Sequence, residues 1–151
     1  MKIAESRAEI ESCFDVMLEL RPRLQRESFY DDVRAMRGEG YLLAYLEKGG
    51  EVVSVAGFRI CRNLAAEGKA MYVYDLVTRA TSRSMGCGAE IIDDLERYAK
   101  DAGCGIVHLD SGTFRYGAHK FYFNRGYQIR AYHFIKRISE TESAVDQQAQ
   151  G

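Results

Sequence analysis

Residues 83–90 read RSMGCGAE, and the chain then runs into IIDDLERYAKDAG at 91–103. Two glycines, Gly86 and Gly88, flank one residue where an amphipathic pattern begins. Glycine costs about 1 kcal/mol relative to alanine inside a helix, so a plain turn is one reading. The other reading is chemical. A helix N-terminus carries unpaired N–H groups and the positive end of the dipole, and glycines there let a bulky anion come close. That combination makes a phosphate cradle. The surrounding chain has to decide between the two.

Downstream, Ile91, Ile92, Leu95, Tyr98 and Ala99 make an apolar stripe at helical spacing. Asp93 and Arg97 stand at i,i+4, Lys100 falls in the last turn, and Gly103 suits the left-handed position after a helix. GIVHLD at 105–110 reads as a short strand. Upstream, YLLAYLEK at 41–48, Gly49-Gly50 and EVVSVAGFRICRNL at 51–64 read as a hairpin, and KAMYVYDLVT at 69–78 as a third strand. Residues 69–110 are therefore strand, loop, helix, strand, long enough for a right-handed parallel crossover. Before the meander, KIA reads as a short first strand. Ser6 with Glu9 forms a capping box for a helix that Pro22 ends, and 27–37 is a second, shorter helix. After the crossover, RYGAHKFYFNRGY at 115–127 reads as a short helix ended by Gly126. YQIRAYHFIKRI at 127–138 reads as a last strand, and 139–151 as a polar, disordered tail. The expected organisation is one α+β domain over 1–138, with a mixed central sheet.

Bulk properties narrow the function classes. With 151 residues, 46% hydrophobic and 28% charged, the chain has the composition of one globular domain. A net charge of −1 gives no basic field for nucleic acid. No apolar run reaches the roughly 18–20 residues of a membrane span, and MKIAESRAEIES lacks the apolar core of a signal peptide. Cys13, Cys61, Cys87 and Cys104 are scattered without C-x-x-C or zinc spacing, which fits reduced thiols in a cytoplasm and no metal site. The residue three after Gly88 is Ile91, so the dinucleotide fingerprint lacks its third glycine. No Gly-Lys-Ser/Thr follows either, so a P-loop is excluded.

Three stretches in order carry a resemblance. Arg83-Ser84-Met85-Gly86-Cys87-Gly88 matches Gln/Arg-x-x-Gly-x-Gly/Ala, YVYDLVT at 72–78 matches the strand before it, and AHKFYFNRGY at 118–127 matches Ala-His-x-Phe-Tyr…Gly-Phe/Tyr. Together they resemble the GNAT superfamily of acyl-CoA-dependent N-acetyltransferases, over roughly residues 41–138. The resemblance implies a GNAT fold, with the parallel crossover splayed around a coenzyme A site. It implies that backbone N–H groups of Arg83, Ser84, Met85, Gly86, Cys87, Gly88 and Ala89 hold the pyrophosphate, with Arg83 adding a side-chain contact. The backbone of Leu76 and Val77 would bind the pantetheine arm, the Leu76 N–H facing the acetyl carbonyl as an oxyanion donor. Tyr122 would lie beside the sulfur as general acid.

The implied chemistry is direct acetyl transfer from acetyl-CoA, or a longer acyl-CoA, to a primary amine in a ternary complex without metal. The general base stays open among Asp75, Asp110, His119, His133 and a water relay. Cys87 sits where a thiol pKa can fall, yet reads as structural. The acceptor is expected to be a small-molecule or amino-acid-like amine, with protein lysine also open. Arg115 is placed either on a substrate carboxylate or on Asp110. A catalytically inactive CoA-binding sensor or interaction module is the competing reading. Exposed sheet edges need cover, and the aromatics Tyr127, Tyr132 and Phe134 lead to an expected homodimer.

Overall fold

A computed structural model describes residues 1–64, 68–136 and 138. The order is β1 (Lys2–Ile3), α1 (Arg7–Ser12), α2 (Phe14–Leu20), α3 (Arg26–Gly38), β2 (Tyr41–Lys48), β3 (Glu51–Asn63), β4 (Gly68–Thr78), α4 (Cys87–Asp101), β5 (Cys104–Leu109) and α5 (Tyr116–Asn124). A 3-10 turn at Ala80–Ser82 lies between β4 and α4. The chain forms two compact units, one from Met1 to Leu109 and one beginning at Asp110.

In the first unit the strands stand in the order β1-β2-β3-β4-β5, antiparallel throughout except for the parallel pair β4–β5. This is the α+β architecture expected from the meander and crossover. Gly49 and Gly50, at φ 59° and 82°, make the hairpin turn between β2 and β3. The sheet has an apolar layer on each face. Tyr41, Leu43 and Tyr45 of β2 point to α1–α3, packing with Ile10, Phe14, Met17, Phe29 and Val33. The alternate residues Ala44 and Leu46, with Phe58, Met71 and Val73, pack against Cys87, Ile91, Leu95 and Ala99 of α4. The period-two alternation of β2 meeting two helical stripes accounts for this three-layer arrangement.

Local signals hold well. Ser6 and Glu9 form the full capping box, and the N–H groups around Ser6 hold the Glu9 carboxyl down at about 2. Gly103 adopts φ 78° just after α4. Two expectations change, and Asp94 joins Arg97. The first helix is divided at Cys13 into α1 and α2, because the Cys13 N–H bonds back to Ile10 O at 3.1 Å and tightens the turn. Arg97 pairs with Asp94, at i,i+3, and Asp94 also takes the N-terminal ammonium. No strand forms over residues 127–136. Aromatic and branched residues favour a pleated surface, but a strand also needs a paired neighbour. The expected tail at 139–151 lies outside the described residues. No helix among the described residues is long and apolar enough to cross a membrane.

Candidate active site

The alternation of β4 slips by one residue at Tyr74. Met71 and Val73 face α4, and so does Leu76, whereas Val77 packs on the α1–α3 side. The pairing explains the slip: Gly57 of β3 opposes Asp75 and Phe58 opposes Val73, so Tyr74 has no partner on β3. It is a β-bulge, which bends the strand and re-aims the residues after it. Pairing with β5 ends at Val73–Leu109. Beyond that point Asp75–Thr78 stays paired with β3, while on its other side the described residues give it no strand. Leu76 and Val77 therefore lie on the part of β4 that extends beyond the end of β5, open on that side.

Asp75 holds the bulge in place. Its carboxylate is 9% exposed and accepts from two donors, Arg21 Nε at 2.8 Å on Oδ1 and the Tyr41 hydroxyl at 2.9 Å on Oδ2. Arg21 Nη2 also donates to the Tyr74 carbonyl at 3.1 Å, so one guanidinium grips both the bulge and the residue after it. A buried carboxylate without such partners would be strongly destabilising. Burial and the adjacent Asp75 charge push the Tyr41 hydroxyl far up, which keeps it a donor. Tyr41 reaches Asp75 only by crossing Gly57, where a Cβ would lie 1.7 Å from its hydroxyl oxygen.

The loop after β4 is tied down from α2. Glu19 accepts from the Ala80 N–H at 2.9 Å and from Arg83 Nη2 at 3.0 Å, and Arg83 Nε donates to Thr78 O at 3.1 Å. The arginine expected to reach a phosphate is here turned onto Glu19. Ser84 at φ 62° and Gly86 at φ 83° are both left-handed, and Gly86 is the N-cap of α4 without any side-chain cap. The first-turn N–H groups of α4 thus have no intrahelical partner and no capping oxygen. A strained serine beside a left-handed glycine is the kind of geometry that binding loops hold. Cys87 is buried in the core between sheet and α4, as its structural reading requires.

In the second unit, Tyr122 lies on α5 with its ring 5.4 Å from Phe121 and 5.7 Å from Tyr127. Burial pushes its hydroxyl pKa up, opposed in part by Arg115. His119 Nε2 is 2.9 Å from Gly112 O, and His133 Nδ1 is 2.8 Å from Asp110 Oδ2. Arg115 stacks over Phe114, its guanidinium carbon 5.4 Å from the ring centroid.

Sequence reading missed Glu19, Arg21, Tyr41 and Gly57. Only Gly57 left a trace, as a glycine inside the strand pattern EVVSVAGFRI, which marks a close approach. Tyr41→Phe should lose about 1.5–3 kcal/mol, the range for a hydrogen bond to a charged group. Gly57→Ala should lose more in the native background and little in a Tyr41→Ala background, because the clash disappears with the ring. Urea unfolding of the double-mutant cycle measures both. Equal Gly57→Ala losses in the two backgrounds would remove Tyr41 from this role.

A sequence profile of the acetyltransferase (GNAT) family matches residues 6–127. An uncharacterized N-acetyltransferase of Bacillus subtilis, YhdJ, is 33% identical over 140 residues, covering 91% of this chain and 98% of that protein. Among solved structures, a putative acetyltransferase from Agrobacterium tumefaciens aligns with a TM-score of 0.78 at 21% identity, over 91% of this chain and 99% of the other. The aminoglycoside N-acetyltransferase AAC(6')-Iy in complex with CoA aligns with a TM-score of 0.76 at 13% identity, over 90% and 93%. These two show a shared fold. Profile, relative and the mixed sheet with its parallel β4–β5 pair agree: the chain belongs to the GNAT family of acetyltransferases.

Proposed function

We propose that the protein transfers the acetyl group of acetyl-CoA to a primary amine, by direct attack in a ternary complex. The observation that carries this reading is the opening beside Tyr74–Thr78, next to an uncapped helix N-terminus. An extended pantetheine arm has amides that can pair with the free side of β4. The diphosphate meets the N–H groups of residues 84–89 at the positive end of the α4 dipole, the expected Arg83 N–H being spent on Ala80 O. In the transfer, the amine nitrogen bonds to the acetyl carbon and the carbon–sulfur bond breaks. The Leu76 N–H faces the carbonyl oxygen as negative charge develops there, a contact of a kind worth about 3–4 kcal/mol. The Tyr122 hydroxyl, kept protonated by its burial, gives its proton to the departing thiolate. Asp75 already accepts on both oxygens, so its part is to hold β4; the proton lost by the amine passes to a water relay, and solvent returns a proton to the Tyr122 oxygen.

Thiol release from acetyl-CoA across a broad amine panel tests the activity. Amine-dependent release is expected, and binding of acetyl-CoA without it would leave only a binding module. Tyr122→Phe keeps the ring and should lower kcat about 10²-fold with acetyl-CoA affinity little changed. Wild-type turnover in the folded variant, with chemistry rate-limiting, would sink the tyrosine's role. Gly86→Val should weaken acetyl-CoA binding tenfold or more, about 1.4 kcal/mol, by calorimetry. Unchanged affinity in a folded variant would move the diphosphate elsewhere.

A further inference from the structure

One sheet row crosses four strands as Tyr41, Arg59, Tyr72 and His108. Opposed residues share a face, and Tyr41 fixes it as the α1–α3 face, the one on which Asp75 meets Arg21. The bulge adds the Tyr74 ring, 4.4 Å from that of Tyr72 and 6.3 Å from that of Tyr41. Arg59 lies over Tyr74, its guanidinium carbon 5.6 Å from the ring centroid, and the Tyr72 ring meets His108 edge-on at 4.7 Å. The result is an aromatic surface with Arg59 over the Tyr74 ring and Arg21 on the Tyr74 carbonyl, on the strand that runs past the end of β5.

Its hydrogen-bonding inventory is one-sided. The Asp75 carboxylate has both oxygens occupied by Arg21 and Tyr41. Arg21 bonds through Nε and Nη2, leaving Nη1 with no bond among the described residues, and its side chain is 53% exposed. Arg59 Nε is buried without a partner, and its Nη2 bonds Glu39 at 2.9 Å. Glu39 is 69% exposed, and an ion pair to so exposed a carboxylate is weak enough for a ligand to displace. Among the described residues the surface therefore presents guanidinium N–H donors and ring faces, and its two carboxylates, Asp75 and Glu39, are each paired to an arginine. A polycationic amine would meet two arginines here. A planar anion would find fork-shaped donors and a stacking face.

We propose that the amine acceptor carries a carboxylate, received by Arg59 and Arg21 beside the rings of Tyr74 and Tyr72. The acceptors are amino acids or short peptides with a free C-terminus. This rests on the acetyl-transfer reading above and adds the acceptor's class. The carboxylate forms no covalent bond; it positions the amine, and the bonds made and broken are those of the transfer already described.

The test measures thiol release from acetyl-CoA by the full chain. The acceptors are the common L-amino acids and a set of dipeptides, each as free acid and as carboxamide, with spermidine and kanamycin as amines lacking a carboxylate. The free acids should exceed their carboxamides in kcat/KM by tenfold or more, although the carboxamide has the more readily deprotonated amine. Arg59→Met should raise KM for the acids tenfold or more while kcat stays within threefold and the carboxamides are unaffected; Arg59→Lys should recover part of the loss. Carboxamides or the carboxylate-free amines turned over as well as the acids would overturn this inference and leave acetyl transfer standing. An Arg59→Met variant whose KM rises equally for both forms would overturn it in the same way. Turnover of no amine at all would overturn acetyl transfer and this inference together.

Discussion

A single buried carboxylate governs the geometry of the site. Asp75 sits at the position where β4 changes the face of its side chains, and the chain can keep that change only because the charge is matched on both oxygens. Arg21 supplies the countercharge and also holds the Tyr74 carbonyl, so the bulge and the carboxylate are fixed by one side chain. Tyr41 supplies the second donor and needs Gly57 beneath it. With the bulge fixed, β4 runs on to Thr78 past Val73, where its pairing with β5 ends at Leu109. Everything assigned to the acyl donor depends on that open edge.

Helix α2 reaches both halves of the site within three residues. Glu19 holds the loop that leads to α4, through Ala80 and Arg83, and Arg21 just beyond the helix holds the bulge. The two contacts flank β4 from the same end of one short helix. A shift of that end would move the loop and the bulge together. This gives a physical route by which the proposed acceptor surface can influence the proposed donor site, since one helix terminus touches both.

What was legible in the sequence was local or periodic. Gly49-Gly50, the Ser6–Glu9 box, the stripe of α4 and Gly103 each act over a few residues, and each forms as read. The order of strands and helix was enough to place Leu76, Val77 and the 83–89 loop on their elements. The Asp75 network was not legible, because Arg21 and Tyr41 lie 54 and 34 residues away along the chain and nothing in a strand pattern names such partners. Arg83 read as a phosphate contact because Glu19, its partner in the structure, is likewise remote. The segment 127–136 carried the composition of a strand, yet composition supplies only one side of a ladder.

The opening beside β4 as the place of the acyl donor is tested most directly by backbone hydrogen exchange, with acetyl-CoA binding measured in the same sample. Saturating acetyl-CoA should slow exchange at Leu76 and across 84–89, because the Leu76 N–H on the free side of β4 gains an extended partner and the loop amides gain an anion, while the Val77 N–H already faces β3. Full occupancy with unchanged exchange at Leu76 would contradict it.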